Sequence, residues 1–215
     1  MGTEHFDAAA AGWDRDEDKV RRAREVADAV ASAVSLTPST RVLEYGAGTG
    51  LVTQALLGRV GPVTLADSSA GMRAVLAEKV ATGVLPGARV WELDLETQPV
   101  PDERVDLVVS SLVLHHIRDL DRVLAALTTM LAPGGHLCVA DLDREDGSFH
   151  QHDVEVHHGF DRTDVAARLS AAGLTDVTVT DCTTLVRDGV TYTVFLAVGR
   201  RAGTGTGTTR ATMDG

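Results

Sequence analysis

"VLEYGAGTG", residues Val42 to Gly50, places three glycines among five positions directly behind a short apolar run that carries Glu44. Glycine has no Cβ, so a strand-to-helix loop built from Gly46, Gly48 and Gly50 turns tightly and lets a ligand lie against bare main chain. In an open parallel sheet, ligands gather beyond the carboxyl ends of the strands, where such a loop stands. A short glycine motif also serves as a plain tight turn, so its neighbours decide. "VTLAD" ends in Asp67, at the distance where nucleotide-binding folds place an acid that accepts hydrogen bonds from ribose hydroxyls. "ARVWELD" ends in Asp94, beside the adenine position. Three acids closing three successive strands form a set that an isolated loop acid does not.

The spacing also bears on which nucleotide is bound. A dinucleotide fingerprint is G-x-G-x-x-G, with its helix N-terminus against a pyrophosphate. Here the third glycine comes one residue early and Leu51 follows. Glu44 would repel a pyrophosphate, yet it suits a ligand ammonium group, which fits an amino-acid nucleoside. NAD(P) and S-adenosyl-L-methionine both stay open on these residues alone, with the spacing against the former.

Outward from the loop, the chain alternates strand-length apolar runs with helical patterns. Helices are expected over Leu51 to Leu57, near Met72 to Val80, and around Leu120 to Leu131; "VDLVVSS" and "HLCVADL" are strands, the latter after a turn "APGG". Strands buried on both faces with crossover helices make a parallel sheet. Upstream, Val20, Ala23, Ala27, Val30 and Val34 recur at helical spacing behind the acids Asp14, Asp16 and Glu17. Downstream, a helix from about Asp161 to Ala172 stops at Gly173. "DVTVTDCTTLV" and "TYTVFLAVG" then follow with only "RDG" between them, too short for a crossover, so they form an antiparallel hairpin. From Ala202 the tail is nearly devoid of apolar residues and is expected to be disordered.

Bulk properties narrow the function classes. A chain of 215 residues suits one domain with a full core. The 2 cysteines, Cys138 and Cys182, lack CxxC spacing, which argues against a disulfide framework or zinc cluster and suits a reducing cytoplasm. "MGTEHFDAAAAG" has no basic-then-apolar leader, Phe6 stands where a myristoylation signal needs Ser or Thr, and no apolar run has spanning length. A formal charge of -11 repels polyanions, favouring small-molecule or protein partners over nucleic acid, and without a spanning apolar run no membrane partner is expected. Oligomeric state leaves no trace in the sequence.

Taken together, the chain resembles a class I S-adenosylmethionine-dependent methyltransferase of the small bacterial type, over roughly Phe6 to Val198. The residues that carry the likeness are "FDAAAAGWD", "VLEYGAGTG", "LADSSAGM", Asp94 with Leu95, "VDLVVSSLVLHHI", "LAPGGHL" and the closing hairpin. The resemblance implies a Rossmann-like doubly wound α/β sheet of seven strands, mostly parallel with a final antiparallel strand. Residues 1–36 are then an N-terminal helical lid segment of the same domain, 37–201 the methyltransferase domain and 202–215 a tail. It implies S-adenosyl-L-methionine as cofactor: Glu44, Gly46, Ala47, Gly48 and Gly50 hold the methionine portion, Asp67 the ribose, Ser68 and Met72 the adenosine, Asp94 and Leu95 the adenine, and Ser110 lies under the sulfonium. Two departures stand out, Tyr45 in place of a smaller residue and Ala66 where a bulkier one is common.

Transfer from a sulfonium is an in-line displacement in which the enzyme aligns the nucleophile and removes its proton where needed. His115 and His116 follow the fourth strand where the acceptor approaches, and imidazole is tuned to that task, although such a residue also serves as a helix cap or core filler. No Asn/Asp-Pro-Pro-aromatic run follows that strand, as amino methylation of DNA bases needs. Ser110 and Ser111 cannot replace magnesium-binding carboxylates, and Cys138 lies in a buried strand pattern rather than a reactive position. His150, His152, His157 and His158 lie among acids in "DLDREDGSFHQHDVEVHHGF". In an extended chain His150 and His152 share a face, as do Glu155 and His157, an arrangement open to a metal or a proton-handling lid. Without HxxxH or paired-cysteine spacing no metal is assigned, and a polar cover over the acceptor pocket is the plainer reading. Phe149, Phe160 and Trp13 are candidate walls for an apolar substrate. A nicotinamide-dependent oxidoreductase and a non-catalytic cofactor-binding regulator are the rival functions.

Overall fold

In the computed structural model, residues 3–149 and 157–203 are described. Seven strands form one sheet: β1 (Val42–Tyr45), β2 (Val63–Asp67), β3 (Arg89–Glu92), β4 (Val105–Ser111), β5 (Leu131–Leu142), β6 (Leu174–Arg187) and β7 (Val190–Arg201), in the order β3-β2-β1-β4-β5-β7-β6. All pairings are parallel except those of β7, which runs antiparallel to both β5 and β6. This is the doubly wound, Rossmann-like architecture expected from the sequence. The strand order reverses between β1 and β4, and that switch point opens the crevice at the carboxyl edge.

Among the described residues six α-helices, α1 (Glu4–Ala9), α2 (Glu17–Ala33), α3 (Leu51–Leu56), α4 (Ala70–Ala81), α5 (Leu120–Met130) and α6 (Arg162–Ala171), cover the two faces. Helix α2 starts where the Asp16 carboxylate accepts from the Asp18 and Lys19 amides, and it buries Ala23, Val26, Ala27 and Val30, one side of a 3.6-residue period. Those residues share a core with Val52 and Leu56 of α3 and Leu76 of α4. Across the sheet, Val123, Leu124 and Leu127 of α5 pack with Val165 and Leu169 of α6. The central strands feed both cores by alternation: Leu107 and Val109 point to the first and Val108 to the second.

Three local differences from the sequence reading have clear causes. Helix α1 and the 3-10 turn Ala10–Arg15 were not foreseen. "APGG" lies within β5, not before it, as an excursion between the Val105↔Leu131 and Leu107↔His136 pairs; a Cβ on Gly135 would stand 2.9 Å from the Asp106 carbonyl oxygen, so the strand passes too close for a side chain. The hairpin turn narrows to Asp188–Gly189, both at positive φ (51° and 79°), which matches the twist of a two-residue hairpin.

Candidate active site

The three glycines of the β1–α3 loop each answer a different demand. Gly46 (φ 69°) lies so close to the next crossing that a Cβ would meet Val113 Cγ2 at 2.3 Å. Gly50 (φ 77°) abuts Leu76 and Leu85. Gly48 (φ 54°) has no heavy atom within 4 Å of where a Cβ would be, so its main chain faces open space. The loop is pinned to β2 because the Gly46 and Ala47 amides both donate to the Ala66 carbonyl, at 2.9 and 3.0 Å. Ala47 itself is buried.

Asp67, 9% exposed, ends β2 beneath this loop. One carboxylate oxygen accepts from the Gly48 amide (2.7 Å) and the other from the Ser69 amide (2.8 Å). Burial raises its pKa, opposed by those amides. Glu44 is only 3% exposed and turns toward the start of α3, where its Oε2 accepts from the Thr53 amide at 3.0 Å. Burial pushes the Glu44 carboxyl up to about 7. Ser110 Oγ donates to the Tyr45 carbonyl (3.0 Å), fastening β4 to β1 at the switch point. Met72, in the first turn of α4, is buried, whereas Ser68 is exposed and its carbonyl accepts from Arg73. Asp94 accepts from the Glu96 amide and the Thr97 hydroxyl, which shapes the turn after β3. Tyr45 explains its own departure: its hydroxyl accepts from the buried Leu95 amide at 3.2 Å, joining the β1 and β3 ends.

The β4–α5 loop is strained and pinned. Leu112 adopts φ 56°, unusual without a glycine, while its amide donates to the Ala140 carbonyl. His115, 2% exposed, lies against Asp141 at the end of β5, with Nδ1 2.6 Å from Asp141 Oδ1. Asp141 is fully buried; burial raises its pKa, but the His115 ring and the surrounding amides outweigh that and hold it below the ordinary carboxylate value. His115 and His116 rings lie 4.0 Å apart, with Phe149 edge-on to the first and Phe6 edge-on to the second. The sequence reading missed Asp141. The rule that flagged Glu44, Asp67 and Asp94, an acid closing a strand, applies equally to "HLCVADL".

The N-terminal segment crosses this edge. Asp7 accepts from the Ser69 hydroxyl (2.5 Å) and the Gly71 amide (2.8 Å), and Asp14 accepts from the Thr49 hydroxyl (2.5 Å) and pairs with Lys79 (2.5 Å). Asp14 therefore braces the loop, while Asp16 caps α2. Trp13 packs beside Phe6 and under Lys19. Phe160 packs against the second core cluster and beside the His157 ring. His157 is structural in part: its amide donates to the His115 carbonyl and its ring contacts the Ile117 carbonyl. His150, His152 and Glu155 lie outside the described residues, and among those described no group of three or more His, Cys, Asp or Glu is arranged to hold a metal. Burial pushes the Cys138 thiol up to about 12 and Cys182 to about 11, leaving no activated thiol among the described residues.

The profile of the family described as "Methyltransferase domain" matches residues 43–139, the stretch from β1 into β5. The biotin biosynthesis bifunctional protein BioCD of Bordetella avium is 42% identical over 145 residues, 65% of this chain and 30% of that protein. The ubiquinone/menaquinone biosynthesis C-methyltransferase UbiE of Shewanella halifaxensis is 31% identical over 121 residues, 54% of this chain and 46% of that protein. These matches together support a class I S-adenosylmethionine-dependent methyltransferase. The chain thus spans less than half the length of these two curated relatives. Its fold also matches the structure of phosphoethanolamine N-methyltransferase 2 from Haemonchus contortus in complex with phosphomonomethylethanolamine and S-adenosylhomocysteine, with TM-score 0.68 at 15% identity, covering 82% of this methyltransferase and 52% of that chain. The family match and that neighbour's bound S-adenosylhomocysteine point to S-adenosylmethionine use. Among the described residues of the methyltransferase no helix is long and apolar enough to cross a membrane.

Proposed function

We propose that this chain moves a methyl group from S-adenosyl-L-methionine to the oxygen, nitrogen or carbon of a small organic acceptor. The observation that carries the reading is Asp67, a carboxylate fixed by the Gly48 and Ser69 amides under a glycine whose main chain is bare. Each Asp67 oxygen accepts one amide and keeps a second lone pair, which suits a vicinal diol such as a ribose. When bound, the donor supplies a methyl carbon already activated by its sulfonium.

The chain's own residues then bind, orient and shield. Gly46, Ala47, Gly48 and Gly50 offer main chain to the methionine portion, with Glu44 beneath the loop. Ser68, Met72, Asp94 and Leu95 flank the adenosine half, and Ser110 sits at the base of the switch-point crevice. Residues 1–36 act as a lid segment of the same domain, held shut by Asp7 and Asp14, which excludes water from a site whose electrostatics then act at low dielectric. His115 or His116 serves as the base that takes the proton released by the acceptor. An acidic chain with free cysteines suits a small-molecule substrate rather than nucleic acid, in the cytoplasm.

Calorimetry with S-adenosylhomocysteine tests the assignment. Wild type binds saturably and Asp67→Ala loses several-fold to a hundredfold in affinity, because ligand hydroxyls are left unpaired. Unchanged affinity removes Asp67 from the site, and absent binding alongside tight NAD(H) binding moves the chain to the oxidoreductase reading. Binding without transfer of labelled methyl to any metabolite leaves a non-catalytic regulator.

A further inference from the structure

Resting on the methyltransferase reading, we infer that Arg22 and Arg187 form an anion subsite on the acceptor side, so that the methyl acceptor is an acid, gripped by a carboxylate or phosphate group remote from the atom that receives the methyl. Acids outnumber lysines and arginines 31 to 20, so cations in this chain do not lack for partners. Yet among the described residues Arg22 and Arg187 are the two partly buried members of those types that make neither an ion pair nor a hydrogen bond. The acids nearest Arg22 are committed elsewhere: Asp16 to Lys19 at 2.6 Å, and Asp18 and Glu25 to Arg21 at 3.4 and 2.9 Å. Desolvation holds the Arg22 guanidinium below its ordinary pKa, only partly offset by Asp16. A charge drawn out of water without a partner is a cost that folding alone does not explain.

Both arginines belong to one flank of the fold. On α2, Arg22 stands one turn before Val26 and three residues before Glu25. Val26 is buried in the cluster that holds Leu185 and Tyr192 of the closing hairpin, and Glu25 accepts from the Thr183 hydroxyl of β6. Arg22 therefore lies on the side of the helix turned to the hairpin. The helix begins at the carboxyl edge of the sheet, because Asp14, just ahead of it, accepts from Thr49 of the glycine loop. Arg187 is two positions beyond Leu185 and so on the same face of β6. Leu142, the last residue of β5, pairs with Val194, whereas Arg187 pairs with Val190, so the hairpin tip overhangs that carboxyl edge. The Arg187 guanidinium stands 5.3 Å over the centre of the Phe149 ring, which in turn lies edge-on to His115 at 6.2 Å and to Tyr192 at 5.2 Å. Two guanidiniums beside an aromatic wall suit one oxyanion carried on an apolar skeleton. An oxyanion so paired has its charge balanced and its lone pairs engaged, which makes it an anchor rather than the nucleophile. Local positive charge also offsets the repulsion that a net charge of -11 exerts on an acid.

Calorimetry of the full chain saturated with S-adenosylhomocysteine, titrated with benzoate, phenyl phosphate and benzamide, tests the subsite without turnover. The better of the two acids is expected to bind at least about tenfold more tightly than the amide, and which acid it is names the oxyanion. Arg22→Met and Arg187→Met, which keep the apolar stem, should each remove at least about tenfold of that affinity. Affinity for S-adenosylhomocysteine should change by less than about twofold in both. Ligand-free Arg22→Met should melt no lower than wild type, because an unpaired, partly buried charge is gone; a clear fall assigns Arg22 to the fold and overturns the inference. Equal binding of acid and amide, or no binding of either acid by the cofactor-saturated wild type, overturns it as well. A matched loss of S-adenosylhomocysteine affinity in the variants gives the arginines to the cofactor's own carboxylate, and inorganic phosphate binding as strongly as phenyl phosphate makes this a free-anion site; either result overturns the acceptor assignment. The wild-type comparison of acid with amide decides even if a variant does not fold. Wild type that binds no S-adenosylhomocysteine sinks the methyltransferase reading instead, so the two failures are distinguishable.

Discussion

A methyl group on residue 46 would fall inside Val113. Gly46→Ala must place a Cβ 2.3 Å from a Val113 methyl and also hold φ at 69°. The backbone share alone is about 1–2 kcal/mol. Urea unfolding should show at least that loss, and adding Val113→Ala should restore the steric part but not the backbone part. Gly48→Ala, with open space before it, should lose only the backbone part. Glu44 makes a second prediction, about pH. Its folded pKa stands near 7 against an ordinary 4.5, mainly through burial, with Asp67 adding to the rise and Lys79 and Thr53 opposing it. A raised acid favours the protonated folded state, so this stabilisation is complete below about pH 4.5 and is lost as pH climbs through 7. Glu44→Gln, which keeps an acceptor for the Thr53 amide, should therefore gain on wild type between pH 5 and pH 8 by an amount on the order of 2–3 kcal/mol in unfolding free energy. A flat difference across that range would mean that Glu44 stays ionised. The glycines, Glu44 and Asp67 were legible because each is demanded by a local rule of loop and strand end. The partners that fix their orientation were not, since Thr53, Ser69 and Asp141 enter through contacts that only folding creates.

Helix α1 shows why short elements escape a reading of periodicity. It has six residues and buries none of them, so no apolar stripe announces it; it is held by Asp7 at the start of α4. The Ser69 hydroxyl, then the Gly71 amide, hold the Asp7 carboxyl below its ordinary 3.8. A lowered acid stabilises above its unfolded pKa and loses that contribution as pH falls through the folded value. The latch should thus stay closed from pH 5 to 8 and open only in acid below about pH 4. Gly71→Ala tests the same contact sterically, because a Cβ there would stand 2.7 Å from the Asp7 main chain. Hydrogen exchange over residues 4–15 should accelerate in Gly71→Ala and in Asp7→Ala, with the melting temperature nearly unchanged and S-adenosylhomocysteine dissociating faster. Exchange as slow as wild type in both variants would mean that the segment is fastened elsewhere. The longer elements were legible because α2 and α5 carry regular apolar faces and the inner strands are mostly apolar. "APGG" misled because proline and glycine mark turns in general, whereas here they relieve a strand that runs against the Asp106 carbonyl.

The whole sheet followed from the alternation of strands and helices plus one hairpin too short for a crossover. What the pattern could not convey is that β7, the final strand of the sequence, does not lie at the rim but between β5 and β6, with hydrogen-bonded partners on either side. Val190–Arg201 therefore supplies the pairing partner of β5 and of β6, which do not pair with each other. A premature stop anywhere in that stretch would leave two strand edges unpaired at once, and the product would be prone to aggregate rather than merely lack a terminus.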